Sequence, residues 1–70
     1  MNEIALRSSV LAGFRYDADQ QQLCLRFRNG DLYIYDTVPP SVLQSLIDAP
    51  SYGQYFNSAI RTCFPCHRLS

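Results

Sequence analysis

The sequence predicts an α+β domain: a three-stranded antiparallel meander followed by two short helices packed on one sheet face, in β-β-β-α-α order. Three observations predict it. Asn29-Gly30 lies between two alternating runs, residues 23–28 and 31–36, which is a strong short-range hairpin signal. A third alternating run, residues 10–16, stands one polar turn upstream, at Asp17-Ala18-Asp19-Gln20. Two apolar stripes of helical spacing follow Val38-Pro39-Pro40.

The first seven residues show no turn logic and are expected to form a flexible leader. In the first strand Val10, Ala12 and Phe14 form the apolar set, assigned to the core, and Arg15 points away from it. In the hairpin a two-residue loop needs positive φ at both positions, which Asn and Gly accept cheaply. That loop sets Phe27 opposite Leu32, Arg26 opposite Tyr33, Leu25 opposite Ile34 and Cys24 opposite Tyr35. Leu23, Leu25, Phe27, Leu32 and Ile34 then share the buried face, while Cys24, Arg26, Arg28, Tyr33 and Tyr35 share the open one.

Proline cannot donate to a sheet ladder, so Pro39-Pro40 ends the meander, and the same residues suit a first helical turn. Val42, Leu43, Leu46 and Ile47 lie on one helical stripe, and Pro50 ends that helix through its effect on Ala49. Ser51 reads as an N-cap with Gln54 completing a capping box. Tyr52, Phe56 and Ile60, spaced by four, place a second helix to about Arg61. The expected organisation is a leader at 1–7, one domain at 8–61 and an irregular tail at 62–70.

Seventy residues make one small domain with a small core. The net charge is zero, which excludes a strongly basic nucleic-acid binder at the level of the whole chain. All six basic residues are arginine, which stacks on planar groups and forks onto phosphate. No basic patch followed by an apolar run opens the chain and no stretch is long enough to span a bilayer. The expected location is the cytoplasm, with free thiols at the three cysteines.

Ser8-Ser9, Tyr16-Asp17, Leu23-x-Leu-x-Phe, Gly30, Tyr33-x-Tyr35 and Val38-Pro39 occur in this order, followed by Ala49-x-Ser51-x-Gly53-x-Tyr55-Phe56-Asn57 and Ile60-Arg61. This ordered set, over residues 8–66, resembles the KTSC domain. KTSC domains stand at the C-terminus of some lysyl-tRNA synthetases and form small single-domain bacterial proteins. The resemblance implies an RNA-binding role, and the family's Tyr-x-Tyr falls on Tyr33 and Tyr35. The tail departs from the family's aromatic and basic end, reading Cys63-Phe64-Pro65-Cys66-His67-Arg68.

The candidate binding face comprises Tyr33 and Tyr35 with Arg26, Arg28 and Arg15. Single-stranded nucleic acids stack bases on aromatic rings and place phosphates on arginine, at about 1–3 kcal/mol per stacked base. The structural alternative is cross-strand packing, at about 0.2–1 kcal/mol per pair. Protein recognition or homodimerisation through the same face or a sheet edge is the competing functional reading, since tyrosine and arginine are enriched at interface hot spots. Asn57 is a further candidate polar group, with a local hydrogen bond as its structural alternative.

The Cys63-x-x-Cys66-His67 pattern matches haem attachment or a redox pair on paper. Haem attachment wants export, and a redox pair wants a helix N-terminus, whereas these cysteines follow a helix. A zinc site would have Cys63, Cys66 and His67, with only distant Cys24 as a fourth ligand. No metal or other cofactor is therefore expected. One histidine near the chain end, without a triad, phosphate loop or paired carboxylates, predicts a noncatalytic protein. The expected partners are RNA or a tRNA-related factor, or a protein partner, and no membrane.

Overall fold

A computed structural model describes residues 3–69. The expected leader and tail therefore extend slightly beyond the described residues, at Met1, Asn2 and Ser70. Among the described residues the sheet has five antiparallel strands in sequence order: β1 (Ile4–Ala5), β2 (Leu11–Asp17), β3 (Gln22–Phe27), β4 (Leu32–Tyr35) and β5 (Cys66–Arg68). Between β4 and β5 come α1 (Pro40–Asp48), α2 (Tyr52–Tyr55) and a π-helical turn, Phe56–Ile60, that continues α2.

The α+β class and the helices stand, but three strands understate the sheet. Part of the expected leader pairs with β2, Ile4 opposite Phe14 and Ala5 opposite Gly13, and Leu6 is buried. Part of the expected irregular tail pairs with β4, Tyr33 opposite Arg68 and Tyr35 opposite Cys66. Both added strands are short and have exposed side chains. Backbone pairing, which leaves little trace in a hydrophobic pattern, forms them.

The hairpin register also differs from the expectation. Leu25 lies opposite Tyr33, Cys24 opposite Ile34 and Leu23 opposite Tyr35. The loop has three residues, Arg28-Asn29-Gly30, closed by Gly30 N donating to Phe27 O at 3.0 Å and Phe27 N donating to Asp31 O at 2.9 Å. Only Gly30 takes a positive φ, 96°, so one left-handed residue replaces the two of a primed turn. The Asn29 carboxamide accepts the Asp31 N–H at 2.9 Å and donates to the Asp31 carboxylate at 3.2 Å, which holds the longer loop. The one-residue difference turns β4 over. Tyr33 and Tyr35 join Leu23, Leu25 and Phe27 on the helix side, while Leu32 and Ile34 join Cys24 and Arg26 on the other.

A bulge in β2 makes a similar correction. The pairing of β2 with β3 shifts between Leu11 and Gly13, so Leu11 and Phe14 are both buried, while Val10 is 40% exposed and Ala12 is half-buried. Leu11, Leu23, Leu25, Val38, Leu46 and Ile60 are fully enclosed and form the centre of the core with Phe14, Tyr35 and Phe56.

The helices follow the expected signals. Pro40 begins α1, and Ala49, extended before Pro50, ends it. Leu46 is the buried centre of its stripe, and Ile47 lies at the exposed margin. The Ser51 hydroxyl caps α2 by accepting the Gln54 N–H at 3.3 Å. Tyr16 ties β2 to the segment that leads into α1 by donating to the Val38 carbonyl at 2.6 Å. No helix among the described residues is long and apolar enough to cross a membrane.

Candidate functional site: an aromatic groove between β4 and the π-helical turn

The turned-over β4 carries the two tyrosines of the central Tyr-x-Tyr motif into a cluster of aromatic rings. Phe27 meets Tyr33 edge-on with centroids 5.6 Å apart, and meets Phe56 at 5.3 Å. Tyr35 meets Phe56 edge-on at 5.6 Å and lies 6.5 Å from Tyr33. These separations suit the ring quadrupoles, so the cluster adds stability beyond its buried area. Phe56 and Tyr35 form its floor, being 5% and 4% exposed, whereas Tyr33 and Phe27 remain half-buried.

Above this floor runs an open groove of about 440 Å³. Its rim carries Asn57 and Arg61 from the helical side and Cys66 from β5. The π-helical turn delivers the first two. Its closing bond runs from Arg61 N to Phe56 O at 2.9 Å, a five-residue step in place of the α-helical four. This geometry is rare and recurs at functional sites. Among the described residues neither the Asn57 carboxamide nor the Arg61 guanidinium has a side-chain hydrogen-bond or ion-pair partner, and both residues are exposed. At the loop end, Arg68 donates to the Asp31 carboxylate at 2.9 Å.

Tyr35 lines the groove together with Arg61 and Cys66. Burial pushes its phenol up to about 12, the Cys66 thiol and Tyr33 add to the rise, and the Arg61 guanidinium opposes it. The hydroxyl therefore stays protonated at neutral pH, beside a thiol and within the field of a cation. The groove thus offers an apolar aromatic wall, an amide able to donate and accept, a phenol donor and one uncommitted positive charge.

The tyrosine–arginine face expected from the sequence is not assembled. Tyr33 and Tyr35 line the groove, but Arg15 and Arg26 lie across the sheet from it. Arg15 is exposed opposite Cys24, and Arg26 pairs with Glu3 at 2.9 Å. Arg28 belongs to the hairpin loop and donates to the backbone carbonyls of Ser8 at 2.8 Å and Leu6 at 2.7 Å, so it anchors the N-terminal segment. Arg61, which the sequence reading did not select, takes the position expected of these arginines. Its signal was present: it lies four residues after Asn57 on a helix that follows the Tyr-x-Tyr strand.

The tail cysteines and histidine do not converge either. Cys66 lies opposite Tyr35 on the groove side, whereas His67 lies opposite Ile34 on the other face, 3.8 Å from Asp36. Cys63 is exposed in the preceding turn. Among the described residues no group of three or more His, Cys, Asp or Glu side chains is placed to hold a metal ion.

Comparison with known proteins places this geometry in context. The family model for the KTSC domain matches residues 7–64. A protein of Stutzerimonas stutzeri is 44% identical over 61 residues, covering 87% of this chain and 86% of its own. The lysine–tRNA ligase of Nostoc punctiforme is 44% identical over 62 residues, covering 89% of this chain, which spans only 11% of that enzyme. The crystal structure of a KTSC domain protein from Yersinia pestis superimposes with a TM-score of 0.94 at 29% identity, covering 99% of this chain and 97% of the other.

Proposed function

The chain belongs to the KTSC domain family, and from that premise we propose that it is a noncatalytic cytoplasmic domain that binds single-stranded or structured RNA by admitting a base into the aromatic groove. The observation that carries this reading is the conjunction of a half-buried Tyr33 ring with an uncommitted Asn57 amide and Arg61 guanidinium on one groove. Tyr33 supplies the stacking surface, at about 1–3 kcal/mol for one base. The Asn57 carboxamide matches the donor and acceptor edge of a base, and Arg61 takes the adjoining phosphate. Tyr35 supports the ring cluster and directs its hydroxyl, rather than its ring face, at the ligand. Lysine–tRNA ligases with a similar segment favour RNA, or a tRNA-related factor, as the partner.

The zero net charge makes this a weak binder with modest salt sensitivity, acting on one or two nucleotides rather than a long track. NMR titration of labelled protein with short single-stranded RNA at low and moderate salt tests the reading. Shifts should centre on Tyr33, Asn57 and Arg61, and Arg61→Ala should remove most of them without unfolding the domain. Shifts confined to the opposite face, around Arg15 and Arg26, would overturn it. Self-association or a salt-insensitive protein contact along β5, one of the sheet's two edge strands, with no RNA response, would favour the interaction-module alternative.

A further inference from the structure

A second depression, of about 350 Å³, lies between the segment preceding β2 and the turn joining α1 to α2. It brings together two stretches far apart in sequence: Arg7-Ser8-Ser9 and Ala49-Pro50-Ser51-Tyr52. The aromatic groove uses none of them. Their hydrogen bonding gives the cleft a definite polarity. The Ser8 hydroxyl oxygen accepts the backbone N–H groups of Val10 at 3.1 Å and Leu11 at 3.2 Å. The Ser51 hydroxyl oxygen accepts the Gln54 N–H at 3.3 Å. A hydroxyl has one proton to donate and two lone pairs. Ser8 therefore has both lone pairs engaged and its proton left to donate, Ser51 has one lone pair engaged, and among the described residues neither hydroxyl donates to a protein acceptor. Ser9, Tyr52 and Arg7 also line the cleft, and each carries a donor group.

Among the described residues no carboxylate lines the cleft and Arg7 has no acidic partner. Glu3 pairs with Arg26 at 2.9 Å, and Asp48, one residue before Ala49 of the cleft, accepts from the Gln44 amide at 3.0 Å. A concave surface with one cation, several hydroxyl donors and no anion suits a compact oxyanion and disfavours a metal ion, which needs acceptors. We infer that the Arg7–Ser9/Ser51–Tyr52 cleft is a phosphoryl-binding site, taking either a phosphodiester of RNA or a free phosphate group. Arg7 supplies the charge, and the Ser8 and Ser51 hydroxyls supply shape and hydrogen bonds. The site does not depend on base binding in the groove.

The test is an amide-shift titration of the full chain with inorganic phosphate, against chloride at matched ionic strength. Saturable shifts at Ser8, Ser9, Ser51 and Tyr52 are expected. Arg7→Gln should weaken them about tenfold, the effect of losing one charge-assisted contact. Ser9→Ala gives an independent check, with a smaller loss. Arg61→Ala should leave the phosphate response intact, which separates this site from the groove. A repeat with short RNA identifies the source: cleft shifts sensitive to Arg7→Gln indicate a backbone phosphodiester, and a response to inorganic phosphate alone indicates a free phosphoryl group. Unsaturable shifts matching those of chloride, or equal affinity in parent and Arg7→Gln, would overturn the inference.

Discussion

Replacing Tyr35 by alanine, and separately Ile34 by alanine, tests the sheet register on which the groove depends. Tyr35 is 4% exposed, and its ring packs edge-on against Phe56 at 5.6 Å. Truncating a buried aromatic ring costs about 3–5 kcal/mol. The lost ring-pair geometry accounts for about 0.5–1.5 kcal/mol of that per pair. Ile34 lies on the opposite face and is only half-buried beside Cys24, so its truncation should cost about 1–2 kcal/mol. A domain of 70 residues has roughly 4–10 kcal/mol of stability in total. Tyr35→Ala should therefore remove a third or more of it and lower Tm by more than about 12 °C, while Ile34→Ala leaves a cooperative transition. Urea unfolding followed by far-UV circular dichroism measures both. If Ile34→Ala proves costlier than Tyr35→Ala, β4 presents its tyrosines outward, the two-residue loop is correct, and the groove does not exist as described.

Tyr35→Phe keeps the ring and should stay within about 1 kcal/mol of the parent at neutral pH. The phenol pKa is raised from 10.0 in the unfolded chain to about 12 in the fold, so the folded state holds this proton more tightly. Its stabilising contribution is complete below pH 10 and is lost as pH rises from about 10 to 12. Tyr35→Phe should flatten the fall in stability over that range, and an unchanged alkaline slope would contradict the burial assigned to the hydroxyl. Gly13→Ala would place a Cβ 2.8 Å from the Ile4 carbonyl oxygen and 2.9 Å from the Glu3 carboxylate; it should cost about 1–3 kcal/mol and release β1, seen as faster amide exchange at Phe14. Gly30→Ala meets no atom within 4 Å, so its cost, about 1–2 kcal/mol by thermal melting, is conformational, and Gly30→Asn should recover part of it. Arg28→Ala removes two bonds to the Leu6 and Ser8 carbonyls and should increase exchange across residues 4–9 while leaving RNA affinity unchanged.

The meander, both helices and their boundaries were legible because each has a local cause. Pro39-Pro40, Pro50 and Ser51 act within one or two residues of themselves, and the structure finds them at the helix limits. The sheet edges were not legible. β1 and β5 are two and three residues long, and their side chains are exposed. Such strands exist because a neighbouring strand offers unpaired backbone groups, a long-range cause that local patterning does not report. The π-helical turn was hidden for a related reason: the spacing of Tyr52, Phe56 and Ile60 suits an uninterrupted helix, and nothing in it marks the wider step.

The site itself turned on one residue of loop length. Alternation decides a strand's face only when the two sets differ in polarity, and in β4 they do not. Leu32 and Ile34 compete with Tyr33 and Tyr35, all four of them able to occupy a core. What tips the balance is the company on each side. Phe27 and Phe56 offer aromatic edges to the tyrosines, and the Asn29 carboxamide stabilises the three-residue loop through Asp31. The same choice decides the chemistry. With the tyrosines outward, arginines held by Glu3 and by backbone carbonyls would have been asked to bind a ligand. With the tyrosines inward, the arginine beside them is Arg61, which has no competing partner among the described residues. An uncommitted cation next to a half-buried ring can gain a ligand without first losing a structural contact, and that difference is why the groove, rather than the open sheet face, is the binding surface to test.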